Sequence, residues 1–442
     1  MHSDPLLPEK VVDENTDRNS GSMDGEVEAE NQGQIGKLDV DEPKPLDDCP
    51  EGGTWGWLAV LGGFCLSISI FGFINSWSTF QAYYELLDIA SPSRIAWIGS
   101  LQYSLIFMPG ILAGRLFDAG HFRLCLWIST ILFLAANFLI AECKTYWQII
   151  LCQGIALGLG SGIVYVPCVA VVSQYFNKKR PIAFSVTAIG VSVGGIIFPI
   201  MFRNLLPSVG FKWAVRSMAF VNVAMFIIAH FTMFPRLPPS AMRGWIELDD
   251  FRQLQFTFFV ICTVIAFFGL YTMLTFLSVS SLLIGFTESL AFYVVSIANA
   301  TSAVGRMAGG VLAVKYGPVN ILIFFTTIAA VCTYIWPFVS TKAGFIVLTC
   351  FYGISSGAFV GLFPLGPLTL GDTSHVGRRT GEQMTFMALG ALFGPPISGA
   401  ILDDANSFKP VGVYAGTTII LSVVFLMASR YVVTHKLIGG RV

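Results

Sequence analysis

Arg306 lies in an apolar stretch nine residues before Lys315, the next charged residue. In a helix rising 1.5 Å per residue, that places it about 13 Å inside the run. A guanidinium at such depth costs several kcal/mol unless it meets water, a partner or a ligand. Its fork of donors suits the paired oxygens of a carboxylate. Arg306 therefore reads as an anion-binding group; the alternative is an arginine that snorkels to the nearer surface or ties helix ends together. Asn299, two turns earlier, falls on nearly the same helix face, and Asn75 sits in another apolar run. Each could bond a polar ligand or simply join helices. Tyr165, Tyr271, Phe351 and Tyr352 could line a cavity, although in a chain with 14% aromatic residues core packing and lipid contact serve equally. Arg306, Asn75, Asn299 and Tyr165 form the candidate substrate-binding set.

Other chemistry finds little support. The nine cysteines are scattered through apolar runs with no CxxC pair and no histidine at ligand spacing, which reads as small reduced hydrophobes and no metal site. The five histidines fall in loops, tails or near a span end, so no histidine relay is visible. There is no Gly-rich loop ending Gly-Lys-Ser/Thr, and no catalytic constellation near a bilayer surface. Neither an enzyme, a nucleotide-driven pump nor a cofactor is expected.

The elements that must hold these residues are helices in lipid. The 442 residues are 54% hydrophobic and 12% charged, with mean hydropathy +0.70, too few charges for a water-facing surface. About twenty apolar residues span a bilayer, and twelve runs qualify: about 57–80, 95–117, 123–141, 147–174, 181–202, 213–233, 256–284, 290–313, 320–339, 344–367, 380–402 and 411–433. Without water to satisfy the backbone they must be helical. Residues 1–50, rich in carboxylates and poor in apolar residues, read as a disordered acidic tail. Partners are lipid and a small molecule, with no nucleic acid, since net charge is only −1.

The halves echo each other. Arg180 precedes Gly190 and Gly194 as Arg379 precedes Gly390 and Gly394; Pro167 matches Pro367; Gly114-x-Leu116-x-Asp118 matches Gly310-x-Leu312-x-Val314. An internal repeat of this kind is typical of secondary transporters. The expected organisation is a bundle at 51–234, a linker at 235–252, a second bundle at 253–434 and a short tail at 435–442. Gly110, Gly114, Gly190, Gly194, Gly390 and Gly394 would let helices approach closely. Basic loop residues favour the face bearing both termini, which is read as cytoplasmic. The plasma membrane is expected, with a vacuolar or other endomembrane as the alternative.

These residues resemble the major facilitator superfamily, and within it the fungal monocarboxylate-transporter-like or riboflavin-transporter-like branch. EGGTWGW, Glu51 to Trp57, is similar to that family's entry to its first span. GRLFDAGHFR, Gly114 to Arg123, resembles the superfamily's loop between spans two and three, with Ala119 where a basic residue is usual. GLGSGIVYVP, YFNKKRPIAFSVTAIGVSVGGIIFP ending at Pro199, and GPPISGAIL from 394 to 402 are similar to its fourth, fifth and eleventh spans.

The resemblance implies an all-α membrane protein of twelve transmembrane helices in two pseudo-symmetric six-helix bundles, working by alternating access. It implies transport of a small organic anion, often with a proton; export of a fungal secondary metabolite, or a receptor on the same fold, are the alternatives. It places a substrate-binding arginine at Arg306. The lysine and aspartate of proton-coupled lactate carriers are replaced by Asn75 and Ser302, which cannot take up a proton, so the coupling ion stays open. It also implies a gate in which Asp118, beside Arg115, meets the N-terminus of the eleventh span with Arg378 and Arg379; an ordinary solvated loop charge is the other reading.

Overall fold

The computed structural model describes residues 51–239, 249–370 and 376–436. The expected acidic tail, the middle of the linker and the last residues of the C-terminal tail lie outside the described residues. Twelve helical legs follow one another. They are α1 (Gly53–Leu86), α2 (Arg94–Asp118), α3 (Phe122–Ile140), α4 (Tyr146–Ser173), then α5 (180–209) and α6 (211–232), which divide the helix Arg180–Thr232, then α7 (Leu254–Leu283) and α8 (Glu288–Tyr316). α9 (Pro318–Phe338), α10 (Lys342–Thr369), α11 (Val376–Ala405) and α12 (Phe408–Thr434) complete the set. No strand occurs among the described residues.

Ten helices are long and apolar enough to cross a membrane, Arg180–Thr232 counting once. α8 has the length, 29 residues, but is not one of the ten, and it carries Asn299, Ser302 and Arg306 in its middle. The loop expected between the fifth and sixth spans is instead a single non-helical residue, Gly210, at φ 74° and ψ 171°. Glycine adopts that positive φ without the Cβ penalty. Thr187 on α5 and Met233 after α6 both meet α1 at Gly62 and Gly63, so the two legs run antiparallel.

Several spans are broken where the cavity will lie. α1 passes through a π-turn at Ile68–Gly72 and loses helical geometry at Asn75–Ser76 before resuming at Trp77. The break lies beside a close backbone crossing: a Cβ on Gly72 would stand 2.5 Å from Cα of Gly194 on α5. π-turns of this kind often mark functional positions. α2 breaks before Pro109, which has no N–H to give, and restarts at Gly110.

Two seams join the first six legs to the last six. Gly110 and Gly114 on α2 lie against the carbonyls of Gly381 and Gly377 on α11. On α5 and α8, Gly310 packs against Ser185 and the Pro181 carbonyl. In the repeat, α2 corresponds to α8 and α5 to α11, so the seams are counterparts. Gly190 meets the Phe64 carbonyl on α1, while Gly390 and Gly394 meet the carbonyls of Val264 and Phe267 on α7.

Candidate functional site

Between these seams is a cavity of ≈ 520 Å³. Its walls include Trp77 and Gln81 near the end of α1, Trp97 and Tyr103 on α2, Tyr271 and Phe276 on α7, and Pro395 to Asp403 on α11. These belong to the helix halves away from residue 51, so the cavity opens to that far face. Among its described lining residues only Arg306 and Asp403 are charged. Asp403 is exposed near the end of α11, whereas Arg306 is 4% exposed at the inner end.

Arg306, Asn75, Asn299 and Ser302 all line this space. The side-chain amide nitrogen of Asn75 and the amide oxygen of Asn299 lie 3.0 and 3.1 Å from where a Cβ on Gly195 would stand. Two polar groups from α1 and α8 thus converge over a glycine of α5. One layer deeper, Arg306 donates through Nη1 to Oγ of Ser192 on α5, its Nε has no hydrogen-bond partner among the described residues, and its stem packs on Gly361 of α10. The guanidinium is not drawn to a membrane surface; it is held across the second seam.

Tyr165 stands apart from this group. It lines a smaller void of ≈ 30 Å³ beneath the main cavity with Cys168, Thr187 and Phe363, room for a water or two. An aromatic floor lies between the cavity and the near face, the face where residue 51 enters. Phe71 meets Tyr165 at 4.9 Å, Phe107 meets Phe267 at 5.5 Å, and Phe267 meets Phe363 at 5.8 Å. Tyr271 lines the main cavity. Phe351 is largely exposed and Tyr352 is buried, its hydroxyl donating to the Leu270 carbonyl.

The near face is closed at the first seam. Asp118 accepts the backbone N–H groups of Gly377 at 3.1 Å and Arg378 at 2.8 Å, a carboxylate at the positive end of α11. The Arg378 guanidinium turns to Asp250, with Nε and Nη2 at 3.0 and 2.7 Å. Arg379 lies over the Phe256 ring at 4.8 Å. Further along, the Thr385 hydroxyl donates to the Met108 carbonyl at 3.0 Å and accepts from the Ile111 N–H, and Ser104 donates to the Ala388 carbonyl. Arg115 and Glu382 are both buried here, and Glu382 lies 4.0 Å from Arg378.

Sequence reasoning missed Asp250, Glu382, Thr385 and Ser192. Glu382 carried a signal, since an acid inside an apolar span is itself informative. Glu51 was read only as part of a motif. Its carboxylate accepts the N–H groups of Lys178 and Lys179 at 2.6 and 2.9 Å, tying the start of α1 to the α4–α5 loop. Burial opposes the charge, yet those N–H groups, with Asn177 and the Lys178 charge, hold the carboxyl below its ordinary range. A lowered carboxyl stabilises above its unfolded pKa, roughly 4.3, and the contribution is lost as pH falls through the folded value. Hydrogen-exchange protection factors at Lys178 and Lys179, taken relative to the intrinsic rate at each pH, should therefore fall on acidification, and in Glu51→Gln already at neutral pH.

The Major Facilitator Superfamily model matches residues 59–371. An MFS-type transporter of Gibberella zeae is 37% identical over 388 residues, covering 86% of this chain and 88% of its own. An aspyridones efflux protein of Emericella nidulans is 32% identical, covering 87% and 79%. The fucose:proton symporter FucP of E. coli superposes with TM-score 0.65 at 17% identity, over 85% of this chain and 98% of that one. An all-helical carrier fold, broken spans around a cavity and these relatives agree: the chain is a multi-pass membrane transporter and belongs to the major facilitator superfamily.

Proposed function

We propose that the chain exports a drug-sized organic acid, binding its anionic group at Arg306 and its apolar body against the aromatic walls. The observation that carries this is the cavity: ≈ 520 Å³ lies in the range of drug-sized ligands and is far larger than a lactate-like monocarboxylate needs. The relative named for aspyridone efflux supports the outward direction. Within the superfamily, the monocarboxylate-transporter-like branch is the placement the sequence motifs favour. The near face is taken as cytoplasmic and the membrane as the plasma membrane. Asp118 and Arg378 are taken as the near-face gate, and the first and last six legs as two rocking bundles. Asn75 and Ser302 offer no proton site, so coupling does not run through them.

The test is transport into inside-out proteoliposomes of 2-naphthoate, its neutral isostere 2-naphthamide, and lactate. The acid should be carried saturably, the amide roughly tenfold or more weakly, and lactate should fail to compete. Equal handling of acid and amide, or efficient lactate transport, overturns the reading. An imposed pH gradient decides proton coupling in the same vesicles.

A further inference from the structure

An arginine can grip a carboxylate with two parallel hydrogen bonds through Nε and Nη2, or through its two terminal nitrogens. In this far-face-open arrangement the first pair is closed and the second is hindered. Nε of Arg306 is buried with no hydrogen-bond partner among the described residues, and Nη1 gives one of its two N–H groups to the Ser192 hydroxyl. That leaves a ligand the terminal pair, one end of which Ser192 holds. Ser192 is 1% exposed and sits on α5, while Arg306 sits on α8, so the hydrogen bond depends on the two helices meeting. Nearer the near face the same helices touch at Ser185 and Gly310, and motion that opens that face must part them.

We propose that Ser192 is a release device. When the cavity faces outward, its hydroxyl captures Arg306 and hinders the bidentate grip, so the anion leaves. When the near face opens and α5 parts from α8, Arg306 is freed to take the next anion from the inside. This rests on the export reading above and adds a positioning residue that acts through Arg306. A serine that only supported the fold, or only aimed Arg306 at the ligand, would weaken binding when lost. A competitor for the guanidinium strengthens it.

The experiment measures 2-naphthoate affinity of the full-length protein in nanodiscs and its maximal export rate in inside-out proteoliposomes. Ser192→Ala should tighten binding by about tenfold, near the lower end of what a hydrogen bond to a charged group contributes, and should slow export because release is impeded. Ser192→Val should do the same, and Ser192→Thr, equal to valine in shape but bearing the hydroxyl, should keep the parental affinity and rate. The Val/Thr pair separates the hydroxyl from packing should alanine fail to fold. Unchanged or weaker binding in both Ala and Val variants overturns the release device while leaving Arg306 as the anion site. No binding by the parent, or parental affinity in Arg306→Ala, overturns the anion reading and the device with it.

Discussion

Arg306→Ala should lower 2-naphthoate affinity by roughly 100-fold or more and abolish its saturable export, while 2-naphthamide binding stays near the parental level. Truncating one partner of a buried charge pair commonly costs 2–5 kcal/mol, and each 1.4 kcal/mol is about tenfold. Arg306 is the innermost cavity residue with a formal charge and the only cation among the described lining residues, so no neighbour on that wall can replace it. Arg306→Lys separates charge from geometry. An ammonium keeps the attraction but not the planar fork, and its loss should be intermediate, about tenfold. The competing idea, an arginine snorkelling to a surface, predicts equal loss for acid and amide. Binding isotherms for both ligands on all three proteins decide between them.

The helices were legible because lipid demands long apolar runs, and the twelve runs match twelve legs closely. What hydropathy cannot express is where a span breaks. Asn75 stood out as a polar residue in an apolar run, but nothing in its type announced the α1 break, which lies beside the close crossing of Gly72 and Gly194 on another helix. Ser192 was illegible for a related reason. Hydroxyls in these spans usually bond a carbonyl one turn back, as Thr187 does with Ala183 and Ser161 with Leu157. A serine that instead accepts from an arginine 114 residues away has no local signature. The closed seam was half legible: the family resemblance set Asp118 against the eleventh span, yet the Arg378 side chain goes to Asp250, which lies in the linker rather than in any motif. Tyr165, named for its aromatic type alone, lines the smaller void beneath the cavity, and residue type carries no information on depth.

Gly114→Val should trap the transporter with its near face open and reduce export to a few per cent of the parent. Its Cβ would run into the carbonyl of Gly377, and that contact is backbone to backbone, so no side chain can swing aside to accommodate it. The seam closes only because glycines face glycines: at the neighbouring pair, a Cβ on Gly110 would stand 2.7 Å from the Gly381 carbonyl. Interiors transmit such overlap as displacement rather than absorbing it, so α2 and α11 must separate where Asp118 reaches Gly377 and Arg378. Losing those two contacts removes the carboxylate from the helix terminus, an interaction typically contributing about 0.5–2 kcal/mol. Asp118→Asn should therefore bias the same equilibrium in the same direction but less, by up to about thirtyfold. Gly154→Ala is the control, because its Cβ would meet the Ile150 side chain at an ordinary 3.4 Å. Spin labels at the near-face ends of α2 and α11 should report a longer distance in Gly114→Val, a mixture in Asp118→Asn and the parental distance in Gly154→Ala. Parental distances in Gly114→Val with export intact would mean that this glycine contact does not close the gate.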